Sequence, residues 1–269
     1  MTGSVFIQVM RRSWWPILLW GGSAAVLAFF VVIIIPSVDM LNKMADLWKS
    51  FPPQLLEMFG GEDVKFLVTP EGYLSVNLFS WILLLFAAYA IVAGLGVTAN
   101  EEEQGTMDVL VSLPIPRWRI LLEKVLAYSL IVIAMIVLTW LGLVIGVAVT
   151  PAMAFNPARL AESTFNMIPG TLFILAFTVL MGTLFRRRNT AASVAAAYLI
   201  FGYFVDLLGR AAKGSFMDKL RALSFYTYHD NPTVMMNGLV WGNVIGLLVV
   251  AVVMVVIAAW VFEQRDVGV

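Results

Sequence analysis

The chain contains no cysteine, which excludes disulfides, thiol nucleophiles and cysteine-held metals. It contains one histidine, His229, so a multi-histidine metal site within the chain is excluded too. A zinc centre needs three or four ligands, and the lone imidazole in "FYTYHDNP" reads as a surface residue. Charge is also scarce: Asp, Glu, Lys and Arg make up 13% of the residues, against about 25% in a typical soluble domain. The formal net charge is zero, which argues against a nucleic-acid partner, because a basic face is the usual footprint of one. No Gly-Lys pair occurs, so the phosphate-cradling G-x-x-x-x-G-K-[ST] loop is missing, and neither H-E-x-x-H nor G-x-S-x-G is present. The chain therefore has no nucleotide site of its own and no recognisable catalytic constellation.

What remains is apolar. Hydrophobic residues make up 61% of the 269, against about 45–50% in soluble domains, and the composition is that of an integral membrane protein. A span needs about 20 mostly apolar residues. Six runs meet that test: Ile17–Ile35, Tyr73–Thr98, Val125–Val149, Ile168–Phe185, Ala191–Leu208 and Leu239–Phe262. They are apolar all round rather than alternating, so they are expected to satisfy their backbones in lipid as helices, not as barrel strands. The first run is longer than the about 7–15 residues of a signal-peptide core, and no A-x-A cleavage site follows it; it reads as a retained span. The fold expected is an all-α membrane protein with six transmembrane helices in one domain over residues 1–269.

An even number of spans places both termini on one side. The basic residues divide almost evenly between the two sides, but the inside segments are shorter, and Arg186, Arg187 and Arg188 form the densest cluster beside a span. The positive-inside rule then gives an N-in, C-in topology. Trp14, Trp15, Trp81, Trp241 and Trp260 sit near span ends, as interfacial belts require. Residues 1–16 read as an interfacial helix with Val5, Phe6, Val9 and Met10 on its apolar side. Short outer amphipathic helices are expected from Met40, Leu41, Met44, Leu47 and Trp48, from "PPQLLEMFGG", and from Phe216, Met217, Leu220 and Leu223.

Ionisable residues inside a bilayer mark ion or proton routes, and only Asp206 qualifies here. Arg210 lies four residues on, so an i,i+4 pair at the interface accounts for it. A proton-driven carrier is disfavoured, and energy for transport has to enter from another chain. Gly142-x-x-x-Gly146 and the tandem Gly238, Gly242, Gly246 have the spacing that lets membrane helices approach closely, within the chain or between chains.

One stretch breaks the apolar pattern. Residues 100–124, "NEEEQGTMDVLVSLPIPRWRILLEK", form a charged loop between the second and third spans. Gly105 and Thr106 break the preceding helix, and Thr106 is suited to cap a new one with Asp108 in its first turn. Met107, Leu110 and Leu113 share one side of that short helix, and Pro114 and Pro116 end it.

Glu101, Glu103, Gly105, Thr106, Leu110, Pro114, Arg117, Ile120, Leu121 and Lys124 together resemble the cytoplasmic loop of permease subunits of type-2 ABC transporters. The interfacial N-terminus, the six spans and the terminal "WVFEQRD" extend the resemblance along the chain. It implies a permease subunit that couples ATP hydrolysis in a separate cytoplasmic ABC ATPase, two copies per complex, to export of a hydrophobic or amphipathic substrate. The loop would be the coupling helix, with Glu101, Glu103, Gly105, Thr106, Met107, Leu110, Leu113, Pro114 and Arg117 docking on the ATPase. ATP and Mg would belong to that partner, with no cofactor in this chain. A second permease chain would pair with this one as a homo- or heterodimer, and the pathway would run along the second and fifth spans. That nominates Asn77, Ser80, Trp81 and Tyr89 with Tyr198, Phe201 and Tyr203. The location implied is a prokaryotic plasma (inner) membrane, and residues 36–72 leave room for an outer-side accessory protein. The alternatives are a non-transporting membrane partner of an ATPase, a secondary carrier, or a membrane-embedded enzyme. The last two lack the buried acids or convergent titratable groups they would need.

Overall fold

The computed structural model describes residues 4–34, 38–52, 55–56, 64–100, 116–150, 155–185 and 187–264. The loop 101–115 lies outside the described residues, and with it Glu101, Glu103, Gly105, Thr106, Met107, Leu110, Leu113 and Pro114. So do Arg186 and most of "PPQLLEMFGG".

The described secondary structure is entirely helical. In chain order the helices are α1 (Ser4–Arg12), α2 (Trp14–Ile33), α3 (Val38–Lys49), α4 (Val64–Leu67), α5 (Pro70–Leu95), α6 (Arg117–Val149), α7 (Pro157–Phe165) and α8 (Met167–Leu184). There follow α9 (Arg188–Ala211), α10 (Phe216–Leu220), α11 (Phe225–His229), α12 (Asn231–Asn237) and α13 (Trp241–Gln264). Among the described residues, six helical stretches are long and apolar enough to cross a membrane: α2, α5, α6, the α7–α8 pair, α9 and α13. Their starts follow local chemistry. Thr69 caps α5 by accepting from the Gly72 amide at 3.0 Å, with Pro70 in the first turn where no donor is needed. The Asn156 side chain does the same for α7, followed by Pro157.

The helices overrun the apolar runs where polar flanks continue them. The clearest case is α6: its 33 residues span roughly 50 Å, against about 30 Å of hydrocarbon. Its first two turns, from Arg117 to Glu123, carry Arg117, Arg119 and Glu123 and precede the apolar run, with Ile120 and Leu121 turned into the core.

α5 and the α7–α8 pair are enclosed over most of their length, whereas α2, α9 and α13 are enclosed over a third or less. The core lies where Leu78, Ile82, Leu83 and Phe86 of α5 meet Ile131, Met135 and Ile136 of α6 and Ile174 and Leu175 of α8. Gly142 and Gly146 seat α6 against Ala25, Phe29 and Val32 of α2, while Gly242 and Gly246 face open space. Gly238 adopts φ +97°, so it serves as the turn into α13. Trp14, Trp15, Trp81, Trp241 and Trp260 are all exposed, with their rings on the outside of the bundle.

Two amphipathic helices lie against the bundle. α1 turns Val5, Val9 and Met10 inward and leaves Ile7 outside; α3 buries Leu41 and leaves Leu47 exposed. The α9–α13 connection is more deeply engaged than a surface loop. Phe216 and Leu223 are exposed, but α11 and α12 turn back and bury Phe225, Tyr226, His229, Asn231, Val234 and Met235. The surface reading of His229 is thus corrected: the turn between α11 and α12 carries it inward against α8, where it is 5% exposed.

Candidate functional site

Two clusters of polar groups interrupt the apolar bundle, one at each end. The end that carries α1 and the C-terminus of α13 is called here the terminal face, and the other end the far face.

At the terminal face, α5 ends at Leu95 and α6 begins at Arg117, so the 101–115 loop leaves from one and returns to the other. The Lys124 ammonium of α6, 2% exposed, donates to the Val97 carbonyl at 3.1 Å. A cation is favoured there because the helix dipole is negative at a C-terminus. One residue earlier, Glu123 accepts from Arg119 Nε at 3.2 Å and from the Phe6 amide of α1 at 3.3 Å. The carboxylate sits at the positive end of α1, so dipole and hydrogen bond act together. Glu263 of α13 accepts from the Trp118 amide at 3.0 Å and supplies one of the acceptors that the start of α6 needs. Both roots of the loop are therefore tied to α1, α5, α6 and α13. A cavity of about 330 Å³ opens beside this junction, lined by Gln8, Arg12, Tyr89, Asn100, Lys124 and Tyr128 among others.

At the far face, Asp206 of α9 accepts from Arg210 Nε at 2.8 Å, Arg221 Nε at 3.1 Å and Thr227 Oγ1 at 2.9 Å. The i,i+4 pair with Arg210 is present as expected from spacing, and Arg221 is an addition that spacing does not reveal. Arg210 also bridges to Asp230 at 2.9 Å, and Arg221 to Asp218 at 3.3 Å. Asp218 accepts from the Gly214 amide and lies beside Arg221, and these contacts, the amide first, hold its carboxyl below the usual range. Asp230 has φ +24°, a backbone strain in a non-glycine residue that its bridge to Arg210 helps to hold. Behind this network His229 Nδ1 lies 3.2 Å from the Asn166 carbonyl, and the Asn166 amide donates back to the His229 carbonyl. Nδ1 also lies 3.4 Å from the Asn166 side-chain nitrogen, but the carbonyl contact is the shorter, and a carbonyl only accepts; with that bond made, Nδ1 carries the proton and Nε2 the lone pair.

The residues nominated for a pathway fall into four groups. Ser80 and Tyr203 line a far-face cavity of about 80 Å³, and the exposed Trp81 lies 6.3 Å from Tyr203, ring to ring. Tyr89 lies instead in the terminal-face cavity, 5.8 Å from the Trp20 ring. Tyr198 is packed among Phe173, Phe177 and Phe225, and its hydroxyl donates to the Leu223 carbonyl at 3.1 Å. Asn77 and Phe201 are on exposed faces of α5 and α9. Of the nominated docking residues only Arg117 is described, at the first turn of α6. Sequence reasoning passed over Glu123, Glu263 and Asn166, whose partners lie far away in the chain, and Tyr226 and Asn231, whose burial follows from the way α11 and α12 turn back.

A profile of the ABC-2 family transporter proteins matches residues 21–267. The chain belongs to the ABC-2 transporter family. As an ABC-2 permease it is an integral, multi-pass membrane protein and the transmembrane component of an ABC transporter, a component that associates with an ATPase subunit. The match runs through five complete spans and most of α2, so it takes in the far-face cluster whole and the terminal-face cluster apart from α1. No curated protein matches the chain.

Proposed function

We propose that this ABC-2 permease is the membrane half of an ATP-driven exporter of hydrophobic or amphipathic compounds, gripped by its ATPase at the 101–115 loop. The observation that carries this reading is the anchoring of both loop roots. Lys124 and Val97 join the ends of α5 and α6, while Glu123 and Glu263 bring in α1 and α13. Force applied to the loop would reach four helices at once through charge-assisted bonds, which are stronger than neutral ones. In this reading the terminal face is cytoplasmic, ATP and Mg are bound by two ATPase subunits, and a second permease chain completes the pathway along α5 and α9. The apolar residues Met107, Leu110 and Leu113 form the anchor of a helix-in-groove contact, with Glu101, Glu103 and Arg117 on its polar rim.

The test is co-purification. The permease, tagged at its C-terminus and extracted from its native host in mild detergent, is expected to bring down an ABC ATPase in equal amount. Met107→Asp or Leu110→Asp is expected to lower that recovery at least tenfold, since charging a buried anchor costs about 2 kcal/mol or more. Membrane insertion should be unaffected. Undiminished recovery in both variants would remove the coupling role from this loop. Recovery of the ATPase without substrate-dependent hydrolysis in liposomes would favour a non-transporting partner instead.

A further inference from the structure

The far-face cavity contains more hydrogen-bonding capacity than the chain uses. Among the described residues, Tyr226 Oη, His229 Nε2 and both amide atoms of Asn231 are buried without a hydrogen-bond partner. The three residues are 7%, 5% and 3% exposed, and all three line the same cavity. Buried polar atoms are rarely left unpaired, because each unpaired group forfeits its bonds to water. Four such atoms around one space of about 80 Å³ therefore point to an occupant. A single buried water requires only about 10–15 Å³.

The charges around the cavity are already committed, and this defines the kind of occupant. Asp206 holds Arg210 and Arg221, and Asp230 is held by Arg210. The unused atoms are all neutral. Burial raises the Tyr226 phenol above its usual range and lowers the His229 imidazole to about 4, so both are uncharged near neutrality. His229 Nε2 and Asn231 Oδ1 accept, Asn231 Nδ2 donates, and Tyr226 Oη does either. Neighbouring hydroxyls, each a donor and an acceptor, match that set; an ammonium has no acceptor, and a phosphate has few donors. The apolar rim of Phe79, Leu83, Leu207 and Pro232 and the ring of Tyr203 suit the carbon face of such a group.

The local backbone supports a built site. α5 is wound as a π-helical turn over Ser75–Phe79, with Ser80 Oγ donating to the Ser75 carbonyl at 2.9 Å, and this places Phe79 and Ser80 on the cavity wall. Such turns occur frequently at functional positions in helices. The strained Asp230 forms the opposite side.

We propose that the cavity bounded by α5, α9, α11 and α12 binds a neutral, hydroxyl-rich head group, a glycoside or polyol, through Tyr226, His229 and Asn231. It rests on the export reading only in lying beside Ser80 and Tyr203. The head group belongs either to a soluble compound or to a lipid of the surrounding leaflet.

The single histidine makes the test direct. The full chain, labelled with 15N at histidine, is placed in phosphatidylcholine nanodiscs and titrated with methyl β-glucoside. A second preparation has a monoglucosyl diacylglycerol in the nanodisc lipid. A saturable shift of the Nε2 resonance is expected in at least one arm, with Nδ1 unmoved. Saturation by the soluble glycoside identifies a solute site, and saturation only by the glycolipid identifies a lipid site. Tyr226→Phe, which removes one hydroxyl without changing shape, is expected to weaken binding about three- to tenfold. No saturable shift in either arm, or an equal shift with choline or inorganic phosphate, would overturn the proposal and leave the cavity to water. Neither ATP nor an ATPase is used, so a negative result here does not bear on the docking of the 101–115 loop.

Discussion

Burial lowers the pKa of the His229 imidazole from its ordinary 6.5 to about 4. Loss of solvation outweighs the Nδ1 bond to Asn166 and the nearby carboxylates Asp230 and Asp206, both of which favour the charged form; the Arg210 charge acts with burial. Between about pH 6.5 and 4 the unfolded chain binds a proton at this site that the folded chain does not. The contribution to stability is therefore complete above pH 6.5 and is lost as the pH falls toward 4, by on the order of 3 kcal/mol over the whole window. Thermal unfolding of the purified permease from pH 7 to 5 should show a falling midpoint, and His229→Gln should flatten that slope whatever its absolute stability. An unchanged slope in the variant would assign the acid sensitivity to carboxylates elsewhere. At this scale the sequence was legible in part. The spacing of Asp206 and Arg210 disclosed their pair, because an i,i+4 contact depends only on the helix. The burial of His229 was not disclosed, because it depends on α11 and α12 turning back toward Asn166, 63 residues away.

At the scale of the helices, two pairs of glycines with the same spacing do different work. A side chain at Gly142 would run into the Ala25 backbone, and one at Gly146 would crowd Val32, so α2 and α6 pack backbone to backbone there. Gly242 and Gly246 meet nothing within the chain. Gly142→Ala is accordingly expected to destabilise the isolated permease by about 1–3 kcal/mol, the usual cost of overpacking. Gly242→Ala should leave it unchanged within about 0.5 kcal/mol, as for exposed positions. Melting of both variants in one detergent decides this; equal losses would mean that α13 is packed against other helices in solution. The G-x-x-x-G spacing was visible in the sequence, but the partner of each was not, since helix neighbours follow from topology rather than from spacing.

For the whole molecule, the absence of native cysteine makes orientation measurable. Lys213 is exposed on the far-face connection after α9, and Gln264 is exposed at the terminal-face end of α13. With the terminal face in the cytoplasm, a membrane-impermeant maleimide should modify Lys213→Cys in intact cells and Gln264→Cys only after permeabilisation. The reverse pattern would invert the topology, place the 101–115 loop outside, and remove it from any ATPase.

Length and polarity along the chain determined the class of this protein by themselves. Apolar runs of span length can satisfy their backbones in lipid only as helices, so six membrane helices follow from local chemistry. The charged interruption at residues 100–124 and its likeness to an ABC permease loop were equally local, and the family match agrees with them. Tertiary structure alone decided how the polar groups are shared. Lys124 meets Val97, Glu123 meets Phe6, Glu263 meets Trp118, and Asp206 adds Arg221 to its near neighbour. It also divided Ser80 and Tyr203 from Tyr89, placing them in cavities at opposite ends of the bundle. The physical reason is that polar groups in a lipid-embedded bundle must find partners inside it, and those partners come from whichever helix ends the packing brings together.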